Sequence, residues 1–144
     1  METDRRRYGS LIMDVLCDTS FLMVLVSTPI KQLDRVESQI GKLNLLVPSI
    51  VIDELKLLQQ KAGPKRSMIA KTAIAISQAR FKVIEIVKSR HVDDAIVEYA
   101  LEHNCATATI DTVLRKRLLK NNVLVITISN NRLIIANSRD NEQI

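Results

Sequence analysis

The chain has few aromatic, cysteine and histidine residues, and each shortage excludes a class of protein. Of its 144 residues, two are Phe, two are Tyr and none is Trp, which predicts an aliphatic core and argues against a base-stacking aromatic platform. Two Cys and two His without a CxxC give little support to a zinc site. Cys17 and Cys105 lie in apolar segments, which favours reduced, buried thiols.

Long hydrophobic runs are also missing. The longest run, Phe21 to Val26, is much shorter than a membrane-spanning helix, which needs about 20 apolar residues. The arginines at positions 5–7 are followed by polar residues, which does not fit a secretory signal. We therefore expect a cytoplasmic protein with no membrane partner.

The length and the apolar content of 47% suit one domain with one core. We assign residues 1–10 to a basic N-terminal extension, 11–136 to the folded domain and 137–144 to a polar C-terminal tail. Short apolar stretches alternate with segments of helical period within the domain. Strands are predicted at Leu11–Asp18, Leu43–Val47, Phe81–Val87, Cys105–Thr109 and Val123–Ile128, with a final short strand at Leu133–Ala136 after an Asn130-Asn131 turn. Helices are predicted after Thr19 and at Lys31–Lys42, Pro48–Lys61, Met68–Ala79, Val92–His103 and Thr112–Lys120.

This alternation predicts an α/β fold. Helical crossovers between strands favour a central parallel sheet of about five strands, covered on both faces in a three-layer α/β/α sandwich. Ligands bind such sheets beyond the carboxyl ends of the strands.

Four acidic residues stand where strands pass into helices: Asp18, Glu54, Asp93 and Asp111. Helical geometry points Glu54 and Asp93 towards apolar neighbours, and Asp94 towards water on the same side as Glu98 and Glu102. A buried carboxylate needs a partner, and several that converge repel one another, so a divalent cation is the natural counter-charge. Oxygen ligands favour Mg²⁺ or Mn²⁺ over zinc. The four acids therefore predict a metal pocket.

Each acid also has a purely structural explanation. Asp18 and Asp111 precede Thr19 and Thr112 in positions that cap a helix. Asp93 lies in the first turn of a helix, where the helix dipole favours negative charge. Capping does not explain why all four acids collect at one edge of the sheet, so we favour a site.

Basic residues flank the predicted pocket in two groups. Lys61, Lys65, Arg66 and Lys71 surround the Gly63-Pro64 break, and Arg115, Lys116, Arg117 and Lys120 lie on the helix that follows Asp111. With a net charge of +5, this distribution permits a nucleic-acid partner. A solvated helix face explains any single Lys or Arg better, and it explains the group from Arg115 to Lys120 about as well as phosphate contact does.

Four segments in order resemble the PIN-domain ribonucleases. They are DTSFL at the end of the first strand, VPSIVIDEL, VDDAIVEYALEHN and ATIDTVLRKRL, and the resemblance covers roughly Leu11 to Ile135. It implies catalytic and metal-binding roles for Asp18, Glu54, Asp93 and Asp111, with Thr109 and Ser20 supporting the metal or its water. In the third segment either Asp93 or Asp94 could match, and aligning Ile96 and Ala100 with apolar family positions selects Asp93.

The resemblance implies a Mg²⁺- or Mn²⁺-dependent endoribonuclease that hydrolyses single-stranded RNA. RNA-binding candidates are Arg115, Lys116, Arg117, Lys120, Lys65 and Arg66. Family members include VapC-type toxins, blocked by an antitoxin, and nucleases of ribosome biogenesis that trim precursor rRNA; small members commonly form homodimers. The alternative is a non-catalytic PIN-like module that binds RNA or a protein. Loss of key acids would favour that module, and all four are present.

Overall fold

A six-stranded sheet forms the centre of the protein in a computed structural model that describes residues 12–27, 42–86, 91–130 and 132–136. The strands are β1 (Ile12–Cys17), β2 (Lys42–Pro48), β3 (Lys82–Ile84), β4 (Ala106–Ala108), β5 (Val125–Ser129) and β6 (Arg132–Ala136). The helices are α1 (Thr19–Leu25), α2 (Ser49–Lys61), α3 (Pro64–Arg80), α4 (Val92–His103) and α5 (Thr112–Lys120). The proposed extension and tail lie outside the described residues. So does the helix predicted at Lys31–Lys42, except for Lys42, which begins β2 and is not helical.

The strand order is β3-β2-β1-β4-β5-β6. All neighbouring pairs are parallel except β5 and β6, which pair antiparallel around a turn at Asn130, where φ is 53°. The prediction of a three-layer α/β/α fold with about five parallel strands is confirmed, and the sixth strand is an antiparallel addition at the edge.

The connections place a crevice between β1 and β4. From β1 the chain moves outward to β2 and β3, then returns to the other side of β1 as β4. Such a reversal leaves an opening beyond the carboxyl ends of the two central strands, where α/β sheets bind ligands.

Buried aliphatic side chains anchor the strand and the helices that border this crevice. Leu16 of β1, Leu55 of α2, Ile96 of α4 and Leu118 of α5 are each fully buried in one continuous core. Burial of each such side chain is worth about 1.5–3 kcal/mol. The helices that carry the acids are thus anchored by their apolar faces against the sheet.

Local signals set the helix ends nearest the crevice. Asp18 accepts a hydrogen bond from the Phe21 backbone N–H at 2.8 Å and caps α1. Asp111 caps α5 through the Val113 and Leu114 backbone N–H groups, at 2.8 and 3.2 Å. The capping role is therefore real at both positions, and it fixes the orientation of both carboxylates at the same edge of the sheet.

None of the helices in the described ranges is long and apolar enough to cross a membrane. Cys17 and Cys105 are both buried free thiols.

Candidate active site

Beyond the carboxyl ends of β1 and β4 lies a cavity of about 980 Å³, and Asp18, Glu54, Asp93 and Asp111 all line it. Four different segments supply these acids, which come from the ends of β1 and β4 and from helices α2 and α4. The structure thus brings together the four acids selected from the sequence.

Asp18 is the most deeply placed of the four, with 6% of its surface exposed. Its Oδ1 accepts hydrogen bonds from the Phe21 N–H and from Ser20 Oγ at 2.8 and 2.9 Å. Its Oδ2 accepts from Ser20 Oγ and from Thr109 Oγ1 at 3.0 and 2.5 Å. These donors hold the carboxylate in one orientation.

Thr109 and Ser20 link the two central strand ends. Thr109 Oγ1 donates to Asp18 and accepts from the Asp111 N–H at 3.0 Å, while Ser20 Oγ accepts from the Ile110 N–H at 3.2 Å. The Asp18 N–H also donates to the Ala108 carbonyl at 3.1 Å. The two hydroxyl side chains therefore bind Asp18 and the backbone at Ile110 and Asp111, and so set the relative positions of the two acids.

The acids interact electrostatically across the cavity. Burial raises the pKa of Asp18 to about 6, despite its hydrogen bonds, and the charge of Asp93 adds to this rise. Burial also raises the pKa of Asp93, and the charges of Asp111 and Glu54 raise it further, against the lowering effect of Arg117. Mutual repulsion of this kind is relieved when a cation binds.

The donor set fits a hard divalent ion. Within the described residues, no three His, Cys, Asp or Glu side chains are placed closely enough to enclose an ion. The four acids nevertheless line one cavity and repel one another, and they offer only oxygen, which Mg²⁺ and Mn²⁺ prefer. Asp111 Oδ2 makes no hydrogen bond to any described residue and stays available to a ligand.

Glu54 lies at the border of the apolar face of α2 rather than at its centre. The buried side chains of that helix are Ile50, Val51, Ile52 and Leu55, whereas Leu57 is 52% exposed and lines the cavity. Glu54 was expected to point towards apolar neighbours, and its half-buried carboxylate faces the cavity together with Leu57 and Leu58.

Asp93 and Asp94 have different surroundings. Asp93 lines the cavity. Asp94 was expected to face water, and this is wrong: its side chain is 18% exposed and pairs with Arg117 Nη1 at 2.7 Å. The position of Asp94 follows from this ion pair, which joins α4 to α5.

The basic residues also separate into two groups. Arg66 lines the cavity, as does Lys61, which was not among the RNA-binding candidates. The other candidates, Lys65, Arg115, Lys116, Arg117 and Lys120, do not line it. Arg117 contacts Asp94 instead, so its charge is already balanced in the protein.

Thr19 was not selected from the sequence, yet its hydroxyl donates to Glu54 Oε1 and so links α1 to α2. The only sequence signal was a second hydroxyl next to Ser20 after Asp18. Thr19→Val keeps the shape and removes the donor, and we expect it to lower the free energy of unfolding by about 1.5 kcal/mol, because a hydrogen bond to a charged group is worth about that much.

This loss is measured by urea unfolding. Thr19→Ser keeps the hydroxyl and is expected to stay within about 0.5 kcal/mol of wild type. Equal stabilities of Thr19→Val and wild type would show that Glu54 does not need this donor.

Comparison with known proteins agrees with this geometry. The model of a family described as PIN like domain matches residues 15–131. A comparison with curated protein sequences finds no match.

Solved structures share the fold at low sequence identity. The PIN domain endonuclease Utp24 superposes with a TM-score of 0.67 at 20% identity, over 85% of this chain and 90% of that one. A domain of a functionally unknown protein from Methanocaldococcus jannaschii DSM 2661 gives a TM-score of 0.58 at 16% identity, over 81% and 91%. A point mutant of T5 5′-exonuclease gives 0.51 at 15% identity, over 90% of this chain and 55% of that one. Since the family model covers most of the sequence and the fold agrees, the chain belongs to the PIN-like domain family.

Proposed function

We propose that the protein is a divalent-metal-dependent endoribonuclease that hydrolyses phosphodiester bonds in single-stranded RNA. The observation that carries the proposal is the convergence of Asp18, Glu54, Asp93 and Asp111 on one cavity, with raised pKa values at Asp18 and Asp93. Acids that repel one another at a crevice lower the stability of the folded protein, and a bound cation removes that repulsion.

The four acids would hold the metal ion, and two hydroxyl side chains would position one of them. Asp18 and Asp111, fixed by capping bonds and by Thr109, would be the direct metal ligands, and Glu54 and Asp93 would hold the ion directly or through water. When bound, Mg²⁺ or Mn²⁺ supplies a more acidic water and offsets charge on the phosphate. Ser20 and Thr109 keep the Asp18 carboxylate in place.

Two comparisons support cleavage at internal bonds of the RNA rather than from its ends. Utp24, described as an endonuclease, is matched over nearly its whole length, whereas the chain covers about half of T5 5′-exonuclease. Both roles considered from the sequence, a toxin held by an antitoxin and a nuclease that processes precursor rRNA, need RNA to reach this same cavity.

The test is cleavage of a labelled single-stranded RNA by the full chain with Mn²⁺ or Mg²⁺. We expect metal-dependent internal cuts that EDTA abolishes, and a loss of at least about 10³-fold in Asp18→Asn, because removing a ligand of the catalytic ion removes several kcal/mol of transition-state stabilisation.

Circular dichroism of Asp18→Asn must show a folded protein, so that the loss is assigned to chemistry. Failure of the folded wild type to cut several RNAs with either metal would favour the non-catalytic binding module instead.

A further inference from the structure

The cavity continues beyond the acids along one face of α2. Glu54, Leu57, Leu58 and Lys61 all line it, and their spacing of three, four and seven residues places them in one stripe on the helix. At 1.5 Å per residue, Lys61 lies about 10 Å along the axis from Glu54. The wall therefore passes from a carboxylate, over two leucines, to a cation.

The facing helix α3 supplies a second cation. Arg66 and Ile69, one turn apart on α3, line the same cavity, and Met23 of α1 adds to its apolar part. The cavity thus has three zones: four acids at the sheet edge, an apolar middle, and Lys61 with Arg66 around the connection between α2 and α3.

This connection is fixed by hydrogen bonds. The Ala62 N–H donates to the Leu58 carbonyl at 2.9 Å, and the Ser67 N–H donates to the Gly63 carbonyl at 2.8 Å. Ser67 Oγ donates to the Gln59 carbonyl at 2.6 Å and so joins the two helices. The backbone that carries Lys61 and Arg66 is therefore held in position before any ligand arrives.

Among the described residues, no acidic side chain pairs with Lys61 or Arg66. Arg117, in contrast, is bound to Asp94 at 2.7 Å. Two neighbouring cations at a cavity wall attract an anion, and Arg with Lys is a common pair for phosphate.

We infer that Lys61 and Arg66 form a second phosphate-binding subsite, which holds a phosphate of the same RNA strand whose scissile phosphate lies at the acids. The apolar middle of Met23, Leu57, Leu58 and Ile69 then receives the intervening base. This inference rests on the proposed nuclease function and adds to it the requirement for a phosphate remote from the cleaved bond.

Two features of the substrate follow from this arrangement. A base can enter the apolar zone only when it is unpaired, so the subsite selects single strands. Aliphatic side chains offer no hydrogen bonds to a base edge, so the apolar walls do not distinguish one base from another.

The test compares two double variants with the same loss of charge. Lys61→Gln/Arg66→Gln removes the subsite, and Lys56→Gln/Lys71→Gln removes two exposed cations of α2 and α3 that do not line the cavity. We expect KM for a short single-stranded RNA to rise about tenfold in the first variant with kcat within about threefold, and little change in the second.

A chemical probe locates the contact. One neutral methylphosphonate is moved along the RNA, and wild type should lose about tenfold in affinity at a single position away from the cleaved bond. The Lys61→Gln/Arg66→Gln variant should show no further loss there. Its salt dependence of binding should also be shallower by about 0.7, as expected for one phosphate on a single strand.

Binding is followed by fluorescence anisotropy, so the result does not depend on cleavage. Equal effects of the two double variants, or no sensitive position in the methylphosphonate series, would overturn the subsite. A wild type that binds through Lys61 and Arg66 but cuts no RNA would keep the subsite and reject the nuclease function.

Discussion

Asp18→Asn is expected to stabilise the metal-free protein at pH 8 by about 1–3 kcal/mol, while it abolishes cleavage. Asp18 is 6% exposed, and burial raises its pKa to about 6 from a usual value near 3.8. Above pH 6 the folded protein must keep a buried, charged carboxylate beside Asp93, and asparagine removes that charge while keeping the shape.

The sign of the pH dependence follows from the raised pKa. The folded state binds the Asp18 proton more tightly than the unfolded state, so stability falls as the pH rises from about 4 to about 6 and is then constant. The advantage of Asp18→Asn should therefore disappear as the pH falls towards 4, because a protonated aspartic acid and an asparagine are both neutral.

The measurement is urea unfolding of both proteins in EDTA between pH 4 and pH 8. Asp111→Asn serves as the control, since Asp111 is exposed and Asn caps helices as well as Asp, and its stability should stay within about 0.5 kcal/mol of wild type. Added Mg²⁺ should raise the melting temperature of wild type much more than that of Asp18→Asn. If Asp18→Asn were less stable than wild type at pH 8, the buried charge of Asp18 would not destabilise the folded protein.

Much of the fold could be predicted because its local signals agree with one another. The Val92–His103 and Thr112–Lys120 helices have the predicted bounds. Helix α4 ends because Asn104 takes a left-handed conformation with φ of 50°, and α5 begins because Asp111 caps it. Such caps are properties of neighbouring residues, so they are visible in a sequence.

Strand lengths were predicted less well because they depend on partners. Phe81–Val87 was expected, yet β3 covers Lys82–Ile84, which pairs with Leu46–Pro48 at the end of β2. Pairing cannot continue beyond the point where the neighbouring strand passes into α2. The apolar pattern of a segment does not contain that information.

In the candidate site, too, features set by neighbouring residues could be predicted, whereas contacts between distant segments could not. The four acids could be found because each lies at the end of a strand or in the opening turns of the helix that follows one, and the edge of a parallel sheet collects such positions. The contact of Thr19 with Glu54, 35 residues away, could not be found. Lys61 and Arg117 also show why charge clusters mislead: only the packing of helices decides which cation faces the cavity and which meets a carboxylate.

The adjacent acids of α4 offer the sharpest distinction between a functional and a structural carboxylate. Asp93→Asn is expected to lower cleavage by about 10²–10³-fold, because Asp93 lines the cavity and interacts with Asp18, Asp111 and Glu54. Asp94→Asn makes the same chemical change one residue later, and it should leave kcat within about threefold of wild type. Its effect should instead be a loss of about 1 kcal/mol in unfolding free energy, because it breaks the partly exposed ion pair with Arg117.

The two substitutions are measured by single-turnover RNA cleavage and urea unfolding on the same preparations. The double-mutant cycle of Asp94→Asn with Arg117→Gln isolates the ion pair, and a coupling energy of about 0.5–1 kcal/mol is expected. We expect Asp93→Asn to be folded but inactive, and Asp94→Asn to be active but less stable than wild type. The reverse outcome would make Asp94 the third acid of the site, which requires that the Asp94–Arg117 pair opens when RNA or metal binds.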